Sequence, residues 1–269
     1  MRSSLLRRRW FARLPPLGVF GGEMAFRAVL FDVGDTLWHA PAALPAAEFR
    51  RLAALRAKQS LASMGVQFEN AGSASRAAWS ALESANRHAR ATGYAEPDYG
   101  EVARMALHAI GLQLTREQAA EFLEAIYVSG VEGGKQAYPD AREALETLAA
   151  RGFKLAVVTN RAFGGTRFRD DLAAMALSIE WDAVVVSVEV GFLKPHPAIF
   201  EEALRQLGVT ANQALMVGNS LAEDVAGAQR IGIAGAWRRS LPDAESVIPD
   251  FEFTELSDLI ALPALAKAG

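Results

Sequence analysis

From Tyr138 onward the chain alternates short apolar runs with helical stretches, and this alternation constrains the fold more than any other feature of the sequence. Strands alternating with helices of this length return each strand parallel to the last through right-handed crossovers, burying a sheet between helices. Pro139-Asp140 opens a helix that runs through Ala150, with proline in its first turn and Gly152 just past its end. Phe153 to Val158 reads as a strand ending at Thr159-Asn160-Arg161, Trp181 to Val188 as a second, and Ala214 to Val217 as a third that runs into Gly218-Asn219-Ser220. Helices are expected from about Pro197 to Leu207, stopped by Gly208, and from Ser220 to Arg230. Ile233 to Trp237 and Phe251 to Phe253 read as short outer strands before a last helix near Leu256 to Leu262.

One strand lies far upstream. Phe26 to Phe31 (FRAVLF) is a mostly apolar run that ends at the acidic turn Asp32-Val33-Gly34-Asp35-Thr36. From Pro41 to about Gln136 the chain is alanine-rich with apolar residues at three- and four-residue spacing, punctuated near Gly65, Gly93, Gly111 and Gly130. That pattern predicts about four helices and no strand. The expected fold class is therefore α/β: a Rossmann-like parallel-sheet core over residues 24–40 and 137–269, with an α-helical cap over 41–136 inserted after the first strand.

Residues 1–23 differ from the rest, being basic and then rich in Pro and Gly. Arg8-Arg9 resembles an export signal, but the apolar stretch behind it is short and broken by Pro15-Pro16. We expect a disordered leader or a mis-assigned start, with Met24 as the first residue of the native protein; mass spectrometry finding residues 1–23 would refute this.

Of the 269 residues 51% are hydrophobic and 22% charged, a composition that folds. A net charge of −3 gives no global positive field for nucleic acid or anionic lipid. The absence of cysteine removes disulfides, thiolate metal sites and a Cys nucleophile, and a reducing cytoplasm fits. No run approaches the roughly 18 to 20 apolar residues that span a bilayer.

In an open parallel sheet, ligands sit outside the carboxyl ends of the strands. Four polar turns fall there: Asp32 to Thr36, Thr159 to Arg161, the segment around Lys194, and Gly218 to Asp224. Taken singly, each reads as ordinary turn or cap chemistry. Together and in this order, as FDVGDTL, VVTN, GFLKPHPAIF and VGNSLAEDVAGA, they resemble the four motifs of the haloacid dehalogenase-like hydrolase superfamily. The insert looks like the helical cap of the subfamily that places it between the first two motifs.

The resemblance implies hydrolysis, most often of phosphate monoesters, with Mg²⁺ and an aspartyl-enzyme intermediate, on a small phosphorylated substrate. Asp32 is then the nucleophile, with Thr159, Lys194 and the backbone amides of residues 33–36 and 160 as donors to the transferred oxygens. Gly34, Thr36, Asn160 and Arg161 are candidate phosphate or substrate contacts. The metal ligands implied are Asp32, the Gly34 carbonyl, Asn219 and Asp224.

Two positions depart from the family's commonest pattern. Gly34 stands where a second Asp usually protonates the leaving alcohol, help worth about 10² to 10⁴ in rate. Either Asp35 has taken that role, or no acid exists and the substrates have leaving groups that need no proton; the second is favoured, because adjacent residues point in different directions. Asn219 stands where Asp is usual; its amide oxygen still ligates Mg²⁺ but adds no charge, and Glu223 is a candidate to compensate. Two other readings stay open: a metal-independent haloacid dehalogenase using Asp32, and a weakly active member that binds a phosphorylated ligand or protein partner.

Among the remaining polar and aromatic residues, Trp38 and His39 are expected either at the entrance or in packing between core and cap. Arg161 is expected at an anionic substrate or on the surface, and His196 in a solvent-facing turn. Trp79, His88, Tyr94 and Tyr99 are expected to pack in the bundle, with substrate contact as the alternative. Arg50-Arg51 and Arg238-Arg239 read as solvated charges.

Overall fold

Four apolar residues, Ala28–Phe31 (β1), all fully buried, form the strand that the rest of the core is built around. A computed structural model describes residues 26–239 and 247–269; the expected leader and the start at Met24 lie outside these residues. After β1 a tight turn leads into Trp38–His39 (β2), which pairs antiparallel with Gln136–Ala137 (β3) and so clips together the two ends of the helical segment. A two-residue strand carries no periodicity of its own, which is why this flap was not expected from sequence.

Between the clipped ends lie α1 (Ala46–Ser63), α2 (Ala71–Ala91), α3 (Tyr99–Ala109) and α4 (Arg116–Ile126). Their starts are set by side-chain caps: Asn70 accepts from the Ser73 amide, Asp98 from Glu101, and Thr115 with Gln118 forms a reciprocal capping box. Buried alanines at 57, 74, 78, 103 and 119 let these helices approach around Leu107, Phe122 and Ile126. Phe163, from the loop after the second motif, inserts into that cluster and joins cap to core.

The remainder runs α5 (Ala141–Ala150), β4 (Lys154–Thr159), α6 (Gly165–Ala174), β5 (Ala183–Val186), α7 (Ser187–Val190), α8 (Pro197–Leu207), β6 (Ala214–Gly218), α9 (Gly227–Gln229), β7 (Ala234–Arg238), β8 (Phe251–Phe253) and α10 (Leu256–Ile260). The six core strands pair in parallel in the order β5-β4-β1-β6-β7-β8. Placing β1 between β4 and β6 gathers the carboxyl ends of the three strands that carry the first, second and fourth motifs.

Three elements differ from the sequence reading. The run expected to stay extended to Val188 stops at Val186, where the chain turns helical through α7. Helix α6 starts at Gly165 without a side-chain cap and was missed. The helix after Ser220 opens with a wide π-helical segment, Leu221–Ala226, before α9. No helix among the described residues is long and apolar enough to cross a membrane.

Candidate active site

Asp32 stands one residue past β1, its amide donating to the Val217 carbonyl at 2.9 Å, so sheet pairing fixes its backbone. Lys194, 1% exposed, donates to Asp32 Oδ1 at 2.6 Å, Asp224 Oδ1 at 2.8 Å and the Val158 carbonyl at 2.8 Å. An ammonium has three protons, and all three are used. Burial disfavours the charged lysine, but the Asp224 and Asp32 carboxylates outweigh it and hold Lys194 above its ordinary range. Burial raises the Asp224 carboxyl above the usual range against the pull of Lys194. Two carboxylates and one ammonium leave this buried centre one negative charge in excess.

Around the trio, each motif is tied to its neighbour. Asn160 accepts from the Lys194 amide at 2.7 Å and donates to the Lys194 carbonyl and Glu223 Oε2, each at 3.1 Å. Its side chain therefore joins the end of β4 to the lysine loop. Asp224 Oδ2 accepts from the Ser220 amide at 2.9 Å, so both its oxygens are engaged, inward to Lys194 and back to its own loop. Gly218 makes that approach feasible: a Cβ there would lie 2.2 Å from Asp224 Oδ2. Glu223, the candidate to compensate for Asn219, has one oxygen on Asn160 and the other against Arg90 of α2.

The Thr36 hydroxyl lies 3.4 Å from both Asp32 Oδ2 and Asn219 Oδ1, bringing these two oxygens to one place. No group of three or more His, Cys, Asp or Glu suited to a metal occurs among the described residues. A few hard oxygens beside a buried negative charge fit a cation that keeps most of its waters, as Mg²⁺ does, and do not fit a soft or imidazole-bound metal. The amides of Asp35 and Thr36 are spent within the turn, on Trp38 and Val33 carbonyls, which removes them from the expected set of phosphate donors. Gly34 and Asp35 are exposed, and Asp35 has φ 54°. Its charge bears on Lys135 and Tyr138.

Several residues play parts that sequence did not reveal. Arg238, expected in solvent, is 4% exposed; it donates to the Thr36 carbonyl at 2.5 Å and to the Thr254 carbonyl at 3.0 Å, and its guanidinium lies 3.4 Å from the centroid of Tyr138. It thus holds the nucleophile's turn from β7. Arg161 is not on the surface: its side chain is 14% exposed and donates to Tyr127 and to Asp171, the latter at 3.0 Å. His196 stacks on Phe192 and caps α8, accepting from the Ala198 amide. His88 is exposed instead of packed in the bundle, whereas Trp38 is buried in the core and His39 stacks on Tyr138. These positions carry no local signal, because their partners lie on other elements.

The chain matches the family model described as haloacid dehalogenase-like hydrolase over residues 26–232. It is 34% identical over 129 residues to a glyceraldehyde 3-phosphate phosphatase of Methanopyrus kandleri, covering 46% of this chain and 54% of that protein. It is 32% identical over 160 residues to a phosphoglycolate phosphatase of Mannheimia succiniciproducens, covering 56% and 70%. A phosphoserine phosphatase of Thermus thermophilus is 33% identical over 130 residues, covering 48% and 51%. The chain thus spans about half the length of the first and third of these relatives. Among solved structures, a 2-haloacid dehalogenase from Pseudomonas syringae shares the fold with TM-score 0.61 and 25% identity, over 90% of this chain and 98% of that one. A phosphatase from Thermococcus onnurineus superposes with TM-score 0.55 and 24% identity, over 88% and 97%. With its four motifs gathered at the carboxyl ends of one parallel sheet and the family match running through all of them, the chain belongs to the haloacid dehalogenase-like hydrolases.

Proposed function

We propose that this hydrolase is a Mg²⁺-dependent phosphatase of small phosphorylated metabolites, working through an aspartyl-phosphate on Asp32. The observation that carries the reading is Lys194 Nζ at 2.6 Å from Asp32 Oδ1. Pinning one oxygen leaves Oδ2, on the Thr36 and Asn219 side, as the attacking atom. Attack forms the Oδ2–phosphorus bond as the bond to the leaving oxygen breaks; water then hydrolyses the acyl phosphate and regenerates the carboxylate.

A centre with one excess negative charge repels a phosphate, so a cation is needed beside it. Asp32, the Gly34 carbonyl and Asn219 would hold the Mg²⁺, which would supply positive charge near the transferring oxygens. Asp224 positions Lys194 and the Asn219 loop in this scheme. Thr159 faces the phosphoryl oxygens, Lys194 fixes Asp32 from the opposite side and offsets its charge, and the cap excludes water.

Hydrolysis of p-nitrophenyl phosphate with and without Mg²⁺ tests the proposal. Metal-dependent turnover lost by at least about 10³-fold in the isosteric Asp32→Asn is expected. Halide release from a 2-haloacid without metal would instead establish the dehalogenase chemistry. Phosphate-ester binding with no turnover of either substrate would establish a binding protein.

A further inference from the structure

Two cations sit against one indole at the mouth of the nucleophile turn. Lys135 Nζ lies 5.2 Å from the Trp38 ring centroid, and the Arg161 guanidinium lies 5.3 Å from the same centroid and 4.7 Å from that of Phe168. The Trp38 ring is buried in the core, and its backbone is tied to the turn: its carbonyl accepts from the Asp35 amide at 2.7 Å, and it bridges to Gly34. Arg161 follows Asn160 directly, and its amide is held by the Ser187 hydroxyl at 2.9 Å. The pair thus lies between the turn that carries Asp32 and the end of β4.

The two charges are unequally served. Asp171, 2% exposed, takes the Arg161 Nη2 proton, the Tyr127 hydroxyl and the Gly130 amide, which occupies it. Arg161 Nε is buried with no hydrogen-bond partner among the described residues. Lys135 has no carboxylate within 4.0 Å among them, and the acids that bear on it are Asp171, already occupied, and the exposed Asp35. Burial and the nearby Arg161 both disfavour its charge. Holding like charges together costs stability in the free protein, and a bound anion beside Lys135 reverses that cost.

We infer that Lys135 and Arg161 form a subsite for a second anionic group on the leaving-group side of the substrate, a carboxylate or another phosphate. This rests on the phosphatase reading and narrows it: the preferred esters carry a negative charge beyond the one transferred. Lys135 is the residue that selects them, because Arg161 is half-neutralised by Asp171 while Lys135 is not.

Binding of non-hydrolysable phosphonates, followed by isothermal titration, tests the subsite without turnover. Propylphosphonate has one anionic group; 3-phosphonopropionate adds a carboxylate and propane-1,3-diphosphonate a second phosphonate. At least one of the doubly anionic ligands is expected to bind the wild-type protein about tenfold or more tightly than propylphosphonate, and which one identifies the group. The advantage should vanish in Lys135→Met and return in Lys135→Arg. Equal affinities in the wild type, no binding of any of the three, or an advantage that survives Lys135→Met would each overturn the inference. Turnover of p-nitrophenyl phosphate reads the phosphatase proposal separately, so failure of one is not failure of the other.

Discussion

Lys194 spends all three protons on fixed acceptors, and none of those acceptors lies on its own loop: Asp32 follows β1, Val158 is in β4 and Asp224 follows β6. One side chain therefore reports whether three strands are in register. The tightest point around it is Gly218, where an added methyl would stand 2.2 Å from Asp224 Oδ2 and 2.5 Å from its Cβ. Gly218→Ala should force Asp224 away from Lys194. We expect a loss of about 1–3 kcal/mol in denaturant unfolding together with at least a tenfold fall in kcat, since overpacking and a broken ion-pair network arise from the same atom. Stability and activity both unchanged would show that the loop relaxes freely.

Glu96, at the foot of the cap, makes a prediction with a sign. Both carboxylate oxygens are out of solvent and make no hydrogen bond of good geometry, although the Tyr99 and Ser187 hydroxyls lie close enough to favour the charged form slightly and Arg90 is nearby. Burial, the largest influence on it, pushes its carboxyl pKa in the folded state above the ordinary 4.5. A raised value means that the native state binds the proton more tightly than the unfolded chain, so the stabilising contribution is complete below pH about 4.5 and is lost as pH climbs through the folded value. Glu96→Gln removes the charge without changing shape. Its melting temperature should exceed the wild type's at pH 7, with the gap closing toward pH 4; a gap that is constant or reversed would mean that the carboxylate has a partner.

At the scale of elements, the core and cap meet through a few defined ties. The Leu193 amide donates to Tyr94 at 2.8 Å and the Glu96 amide to Gly191 at 2.9 Å, so the loop before α3 lies along the lysine loop. Arg90 of α2 reaches Glu223, and Trp79 of the same helix lies 5.8 Å from Phe163. Asn160 is where these ties enter the site, because it holds Lys194's backbone on one side and Glu223 on the other. Asn160→Ala should lower kcat by about 10- to 100-fold with a smaller change in KM, while Asn160→Asp, which keeps the acceptor for the Lys194 amide, should recover part of the loss. Equal effects of the two variants would mean that the side chain acts only as a donor.

Elements with local stop and start chemistry were legible in the sequence. α8 begins at Pro197 and ends at Leu207 as expected, because proline fits the first turn and Gly208 takes φ 64° beyond the last. The continuous apolar runs of β4 and β6 likewise set their position to within a residue. Elements that exist only through distant partners were not legible. β2 and β3 are two residues each and depend on one another across the whole insert, α6 opens on two glycines, and Ser187 turns helical where its neighbours still read as strand. The same division runs through the site: Asp32, Thr159, Lys194 and Asp224 could be read because each lies in a polar turn or strand end on the carboxyl side of the sheet, within a recognisable local pattern, whereas Arg238 and Lys135 owe their place to Tyr138 and Trp38 on other elements.

The whole molecule poses one chemical question, which is where a leaving group finds its proton. Gly34 has no side chain to give, and Asp35, turned by its positive φ, sits exposed with its charge bearing on Lys135 and Tyr138. Lys194 has no proton to spare, because burial is outweighed by the two carboxylates that hold it charged. A phosphatase built this way should depend on the leaving group to depart unaided. Across a series of aryl, acyl and alkyl phosphates, kcat/KM should fall steeply with leaving-group pKa, alkyl esters trailing by about the 10² to 10⁴ that general acid help is worth. Asp35→Asn should leave that slope within about threefold at every point. A shallow slope in the wild type that steepens in Asp35→Asn would make Asp35 the acid and require the turn to move when substrate binds; a shallow slope indifferent to Asp35 would place the proton donor on another element, the cap first among them.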